Sequence, residues 1–143
     1  LQGKAFAISG GIVLTFTWDK FYDVGSCMKN ISKKEEYQRS AVGRFYYAAF
    51  GLVKEYYEEK YKRPVPFLNA HSFLINELEK SYGDEKRLGE NLRKMRKYRN
   101  FADYNKIFYF VNNFERTIKI EIHRDSMSKI NNSYNKEEIF LKS

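Results

Sequence analysis

Between Ser32 and Arg63 the chain runs without a proline, and apolar residues return at three- and four-residue steps. Val42, Phe45, Tyr46, Ala49, Leu52, Val53 and Tyr56 form one stripe, the period of an α-helix that buries one face. Ser32 is a suitable cap for the start of this helix, and Arg63-Pro64-Val65-Pro66 ends it, which predicts a helix from Ser32 to about Tyr61. Arg44, Tyr47, Ala48, Gly51 and Glu55 lie on a neighbouring face, where the small residues at 48 and 51 let another helix come close. The whole chain holds two prolines and eight glycines, so further long helices are allowed.

The same reading predicts the other elements. A first helix starts near Thr17 as N-cap, carries Trp18, Phe21, Tyr22 and Gly25 at helical spacing, and fades near Asn30. A third covers Asn69 to Lys80 with Phe73, Leu74, Ile75 and Leu78 inward. Ser81-Tyr82-Gly83 is a turn, and Asp84 caps a fourth helix on which Leu88, Leu92, Met95, Arg99 and Ala102 recur at core spacing. Arg99 is the one member of that stripe that does not belong in a core. A fifth helix begins within 104–109 and reaches about Met127, carrying Phe108, Val111, Phe114, Ile118 and Ile122, although Thr117–Ile122 also alternates as a strand does. The fold class expected is therefore all-α. Residues 1–13 read as a flexible leader or cloning remnant, 14–128 as one helical domain, and 129–143 as a tail with a short helix around Glu137–Leu141. The run Ile12-Val13-Leu14 is too short to span a bilayer, so no membrane association is expected.

Charge narrows the partners. The formal net charge is +8 and the isoelectric point about 9.4, which favours RNA, DNA, nucleotides or an acidic protein over a neutral ligand. A generally basic, soluble surface would give the same numbers. Cys27 is the single cysteine and the only histidines are His71 and His123, so neither a disulfide nor a metal centre nor a cofactor is expected, and a reducing cytoplasm is the natural setting.

Two segments resemble a known family. Arg39-Ser-Ala-Val-Gly-Arg-Phe-Tyr-Tyr-Ala-Ala-Phe50 and Leu92-Arg-Lys-Met-Arg-Lys-Tyr-Arg-Asn-Phe-Ala-Asp-Tyr104, together with Trp18-x-x-Phe21 and His71, resemble prokaryotic members of the HEPN superfamily (higher eukaryotes and prokaryotes nucleotide-binding) over roughly residues 15–125. The resemblance implies an antiparallel bundle of four to five helices, a homodimer, and metal-independent RNA cleavage in toxin–antitoxin or phage-defence systems, with a cognate antitoxin or nucleotidyltransferase-like protein as partner. It also implies a catalytic motif of an Arg, a polar residue, three further positions and a His. Arg99 and Asn100 match its start; Tyr104 stands where the His is expected. Other members bind nucleotides or proteins without known catalysis, and the Tyr104 departure keeps that alternative open.

The residues themselves allow two readings of Arg99. Asp103, one turn later, can pair with it and lock helix packing. Alternatively the guanidinium serves a phosphate, with Arg96, Lys97 and Arg44 adding charge to the same cleft. Tyr104 is a poor base because its ordinary pKa is about 10, and His71 has the right range but an unknown position. Gly43, Ala48 and Gly51 suggest a flat small-residue surface for a twofold dimer that brings the two fourth helices together.

Overall fold

The computed structural model describes residues 5–8 and 12–105, with side chains from residue 15 onward. Among the described residues four helices form a bundle: α1 (Asp19–Ile31), α2 (Glu35–Tyr61), α3 (Ala70–Glu79) and α4 (Gly83–Tyr104). The predicted fifth helix, the tail and His123 lie outside the described residues. Ahead of the bundle, β1 (Ala5–Ile8) and β2 (Ile12–Thr15) pair antiparallel, with Ala5 opposite Thr15 and Ile8 opposite Ile12. These strands fall largely within the segment 1–13 that by sequence reads as a flexible leader or cloning remnant. The sequence signal was present: two short apolar runs flank Ser9-Gly10-Gly11, a hairpin pattern.

The α2 stripe is the core. Val42, Phe45, Tyr46, Ala49, Val53 and Tyr56 are all at most 2% exposed. The neighbouring helices supply the other side through Leu74, Ile75, Leu78, Leu88, Leu92 and Met95. Antiparallel order holds for α1 with α2, α2 with α4 and α3 with α4. By contrast, α3 runs in the same sense as α2: His71 meets Phe50, Phe73 meets Tyr57, and Glu77 meets Arg63. The extended link 62–69 carries the chain back along α2 before α3 begins.

Several helix ends differ from expectation. Thr17 does not cap α1; Trp18 occupies the N-cap position and makes no side-chain cap bond. Asp84 lies in the first turn of α4 beside Arg87 rather than capping it. Ser32 precedes α2, and its hydroxyl accepts from the Lys34 backbone N–H at 3.1 Å.

The small residues of α2 are used inside the protomer. Gly51 faces the Trp18 indole so closely that a Cβ would fall within the ring. Ala48 is 0% exposed, and a Cβ on Gly43 would meet Asp103 at 3.9 Å. Gly43, Ala48 and Gly51 therefore form no free surface, and the dimer argument built on them fails.

One buried polar node escaped sequence reasoning. The Glu85 carboxylate, 6% exposed, accepts from Tyr56 Oη at 3.0 Å and also from Tyr61 and Lys60. Burial pushes this carboxyl up, yet the three donors outweigh it and hold Glu85 below the usual carboxylate range. Burial and the same hydrogen bond push Tyr56 up to about 12. Because the folded carboxyl is depressed below its ordinary 4.5, its contribution is present above that pH and is lost as pH falls through the folded value. Glu85→Gln should cost about 1–2 kcal/mol at neutral pH, and the gap from wild type should close in acid. Melting curves of both proteins from pH 7 to pH 3 check this; a gap that persists at low pH would refute it.

Candidate nucleic-acid interface

The carboxyl end of α4 carries the candidate residues, and its position is set by Arg39. From α2, Arg39 Nη1 donates to the Ala102 carbonyl at 2.8 Å and the Asn105 carbonyl at 2.6 Å, while Glu35 pairs with the other side of the guanidinium at 2.6 Å. These carbonyls are the unpaired acceptors of a helix end, where a cation also complements the helix dipole. Arg39 was quoted in the sequence only as the start of a motif; its capping role has no local signal.

Arg99 is largely committed to the protein. Its side chain is 13% exposed, and Nε lies 3.5 Å from Asp103 Oδ2, the pairing expected from the one-turn spacing. Nη2 donates to Tyr47 Oη at 3.1 Å and Nη1 to Asn100 Oδ1 at 2.9 Å. Three tyrosine rings surround the guanidinium, with centroids at 5.7 Å (Tyr46), 5.4 Å (Tyr47) and 5.9 Å (Tyr104). Buried cations need such company, and this arrangement explains how an arginine occupies a core stripe.

The more open cations lie one turn earlier and alongside. An open cleft of about 460 Å³ runs along α4, lined by Arg93, Arg96, Lys97, Asn100, Phe101, Tyr104 and Asn105. Arg93 is neutralised by Glu79 in a two-pronged contact at 2.7 Å. Arg96 donates to the Ser72 hydroxyl at 2.9 Å, and Lys97 rests over the Phe101 ring at 5.7 Å. Neither pairs with a carboxylate among the described residues. Among the described residues the cleft lining contains no acid.

Comparison with family models, with curated proteins and with solved structures finds no match to this chain.

His71, at the start of α3, is brought to the inner side of this region. Its ring stacks on Phe50 at 4.0 Å and lies 5.5 Å from Tyr46 and 6.1 Å from Tyr47, the two rings that also hold Arg99. Its Nδ1 is 2.6 Å from Tyr46 Oη. Burial, then the charges of Arg96 and Arg99, push the imidazole down to about 4. Arg44 is placed elsewhere: its guanidinium lies 5.0 Å from the centre of Phe21 on α1, so it does not add a cation to this cleft as expected. Among the described residues no three His, Cys, Asp or Glu side chains cluster as metal ligands, and no helix is long and apolar enough to cross a membrane.

Proposed function

We propose that the protein binds single-stranded RNA in the α4 cleft, as a HEPN-type protein of a prokaryotic defence or toxin–antitoxin setting. The observation that carries this reading is a cleft whose described lining holds cations and aromatic rings and no acid. Arg96 and Lys97 are cations without a carboxylate partner among the described residues, and Phe101 and Tyr104 stand beside them as exposed rings. Single strands are held by this combination, charge for the backbone and aromatic faces for the bases. Asn100 adds an amide that can contact phosphate or base edges. In this reading Arg99 acts from behind the wall, orienting Tyr47, Tyr104 and Asn100. The defence setting and a nucleotidyltransferase-like partner rest on the family resemblance of the two motif helices.

Fluorescence anisotropy with a labelled single-stranded RNA tests the proposal. Arg96→Ala and Lys97→Ala should each weaken binding about 10-fold and lower the salt slope by about one. Arg93→Ala should do less, because Glu79 already neutralises that charge. Binding that ignores salt, or that survives the Arg96→Ala/Lys97→Ala double substitution, would overturn the proposal.

A further inference from the structure

We infer that the RNA track runs past the cleft along the outer face of α4, takes a further phosphate on Lys94, and is closed there by Glu90; the inference rests on the RNA-binding reading above. The cleft occupies only the carboxyl-terminal half of a helix that begins at Gly83. Residues at three- and four-residue steps share one helix face. Tyr104, Phe101, Lys97, Lys94 and Glu90 follow one another at such steps, and all five are exposed. Lys94 stands one turn beyond Lys97, on the side away from the two rings and outside the lining of the cleft. Among the described residues it pairs with no carboxylate, so its charge is as available to a ligand as that of Lys97.

Past Lys94 the face changes character. Glu90 is exposed and, among the described residues, has no cation within ion-pair distance, so its carboxylate confronts whatever lies on this line. The cations further on are compensated. Arg87 lies 3.5 Å from Asp84, Arg93 is held by Glu79, and the charge of Lys86 acts on Glu79 as well. A phosphate moving from Lys94 toward the amino end of α4 would therefore meet a like charge before it met a free cation. From Tyr104 to Lys94 the helix rises roughly 15 Å at ~1.5 Å per residue. That length holds about four stacked nucleotides at ~3.4 Å each. The substrate class that fits is a short single-stranded segment, with rings for its bases at one end of the line, cations for its backbone along it, and a carboxylate as the stop.

Fluorescence anisotropy of the full chain, with a labelled single-stranded RNA longer than this track and a series of salt concentrations, tests the inference. Lys94→Ala should weaken binding about fivefold and lower the salt slope by about one. Glu90→Lys should do the opposite, tightening binding about fivefold and raising the slope by about one, because the track then continues for another turn. Asp23→Lys makes the same change of charge at an exposed position of α1, a helix that packs on α2, and should alter affinity by less than about twofold because salt screens distant charges. Lys94 and Glu90 are both exposed, so neither substitution removes a buried contact, and circular dichroism checks that each variant is folded. A folded Lys94→Ala protein with wild-type affinity and slope, while Arg96→Ala and Lys97→Ala still bind more weakly, overturns the extended track and leaves the cleft reading standing. A gain from Glu90→Lys no larger than that from Asp23→Lys overturns it too, since bulk charge alone would then explain both. Absence of RNA binding by the wild-type protein removes the cleft reading and this inference with it.

Discussion

Gly51→Ala should destabilise the protein by about 3 kcal/mol, at the upper end of what overpacking a core costs. The added methyl would occupy space already filled by the Trp18 indole, and neither side yields easily. Gly51 is buried in the middle of α2, and Trp18 is packed between Phe16 and Phe21, with ring centroids at 5.4 and 5.8 Å. The sign should reverse when the indole is removed. In a Trp18→Ala background the steric conflict is gone, and alanine is a better helix residue than glycine by about 1 kcal/mol. There Gly51→Ala should therefore stabilise. Urea unfolding of the four proteins in this cycle measures the coupling. Trp18 is the only tryptophan, so its emission reports displacement of the ring directly. A neutral or stabilising Gly51→Ala in the wild-type background would show that α1 does not dock on α2 through this notch.

Arg99→Ala should also cost about 3 kcal/mol, the sum of modest contributions from three ring contacts, the Tyr47 hydrogen bond and the Asp103 pair. Asp103→Ala should cost only about 1 kcal/mol, because that carboxylate is 39% exposed and water can replace its partner. The unequal losses matter: a simple ion pair would make the two substitutions similar. Affinity for RNA, measured on the folded fraction, should fall less for Arg99→Ala than for Arg96→Ala, since Arg99 is 13% exposed and faces protein partners. Thermal melting and anisotropy on the same samples separate the effects. Unchanged stability together with a large affinity loss would place Arg99 directly on the ligand and refute the positioning role given to it here.

Arg99 also shows how far sequence reasoning reaches. Its place on the apolar stripe of α4 and its spacing from Asp103 are properties of one helix, and both were readable from residue types at known intervals. The ring cage was not, because Tyr46 and Tyr47 lie on α2, 52 residues away in the case of the Tyr47 bond. The same division explains Arg44. Its proximity to Tyr47 along α2 suggested a shared cleft, but the side chain turns toward Phe21, a choice made by the docking of α1. The small residue at 51 was correctly seen as a close-approach site, while what approaches it was decided by the fold: the Trp18 indole of the same chain.

What the sequence determined by itself is the helical bundle. Periodicity, breakers and turn residues act over three to four positions, so the free-energy preference for α1 to α4 is written locally, as is the burial of the Val42-to-Tyr56 stripe. What only the tertiary structure decided is which polar groups are consumed and which are left for a ligand. Arg39 spends its charge on α4 carbonyls 63 residues away, Glu85 collects three donors from α2, and Arg93 is neutralised by α3. Arg96 and Lys97 keep theirs within the described fold. Formal charge is counted along the chain, but available charge depends on desolvation and on partners that meet only after the helices pack.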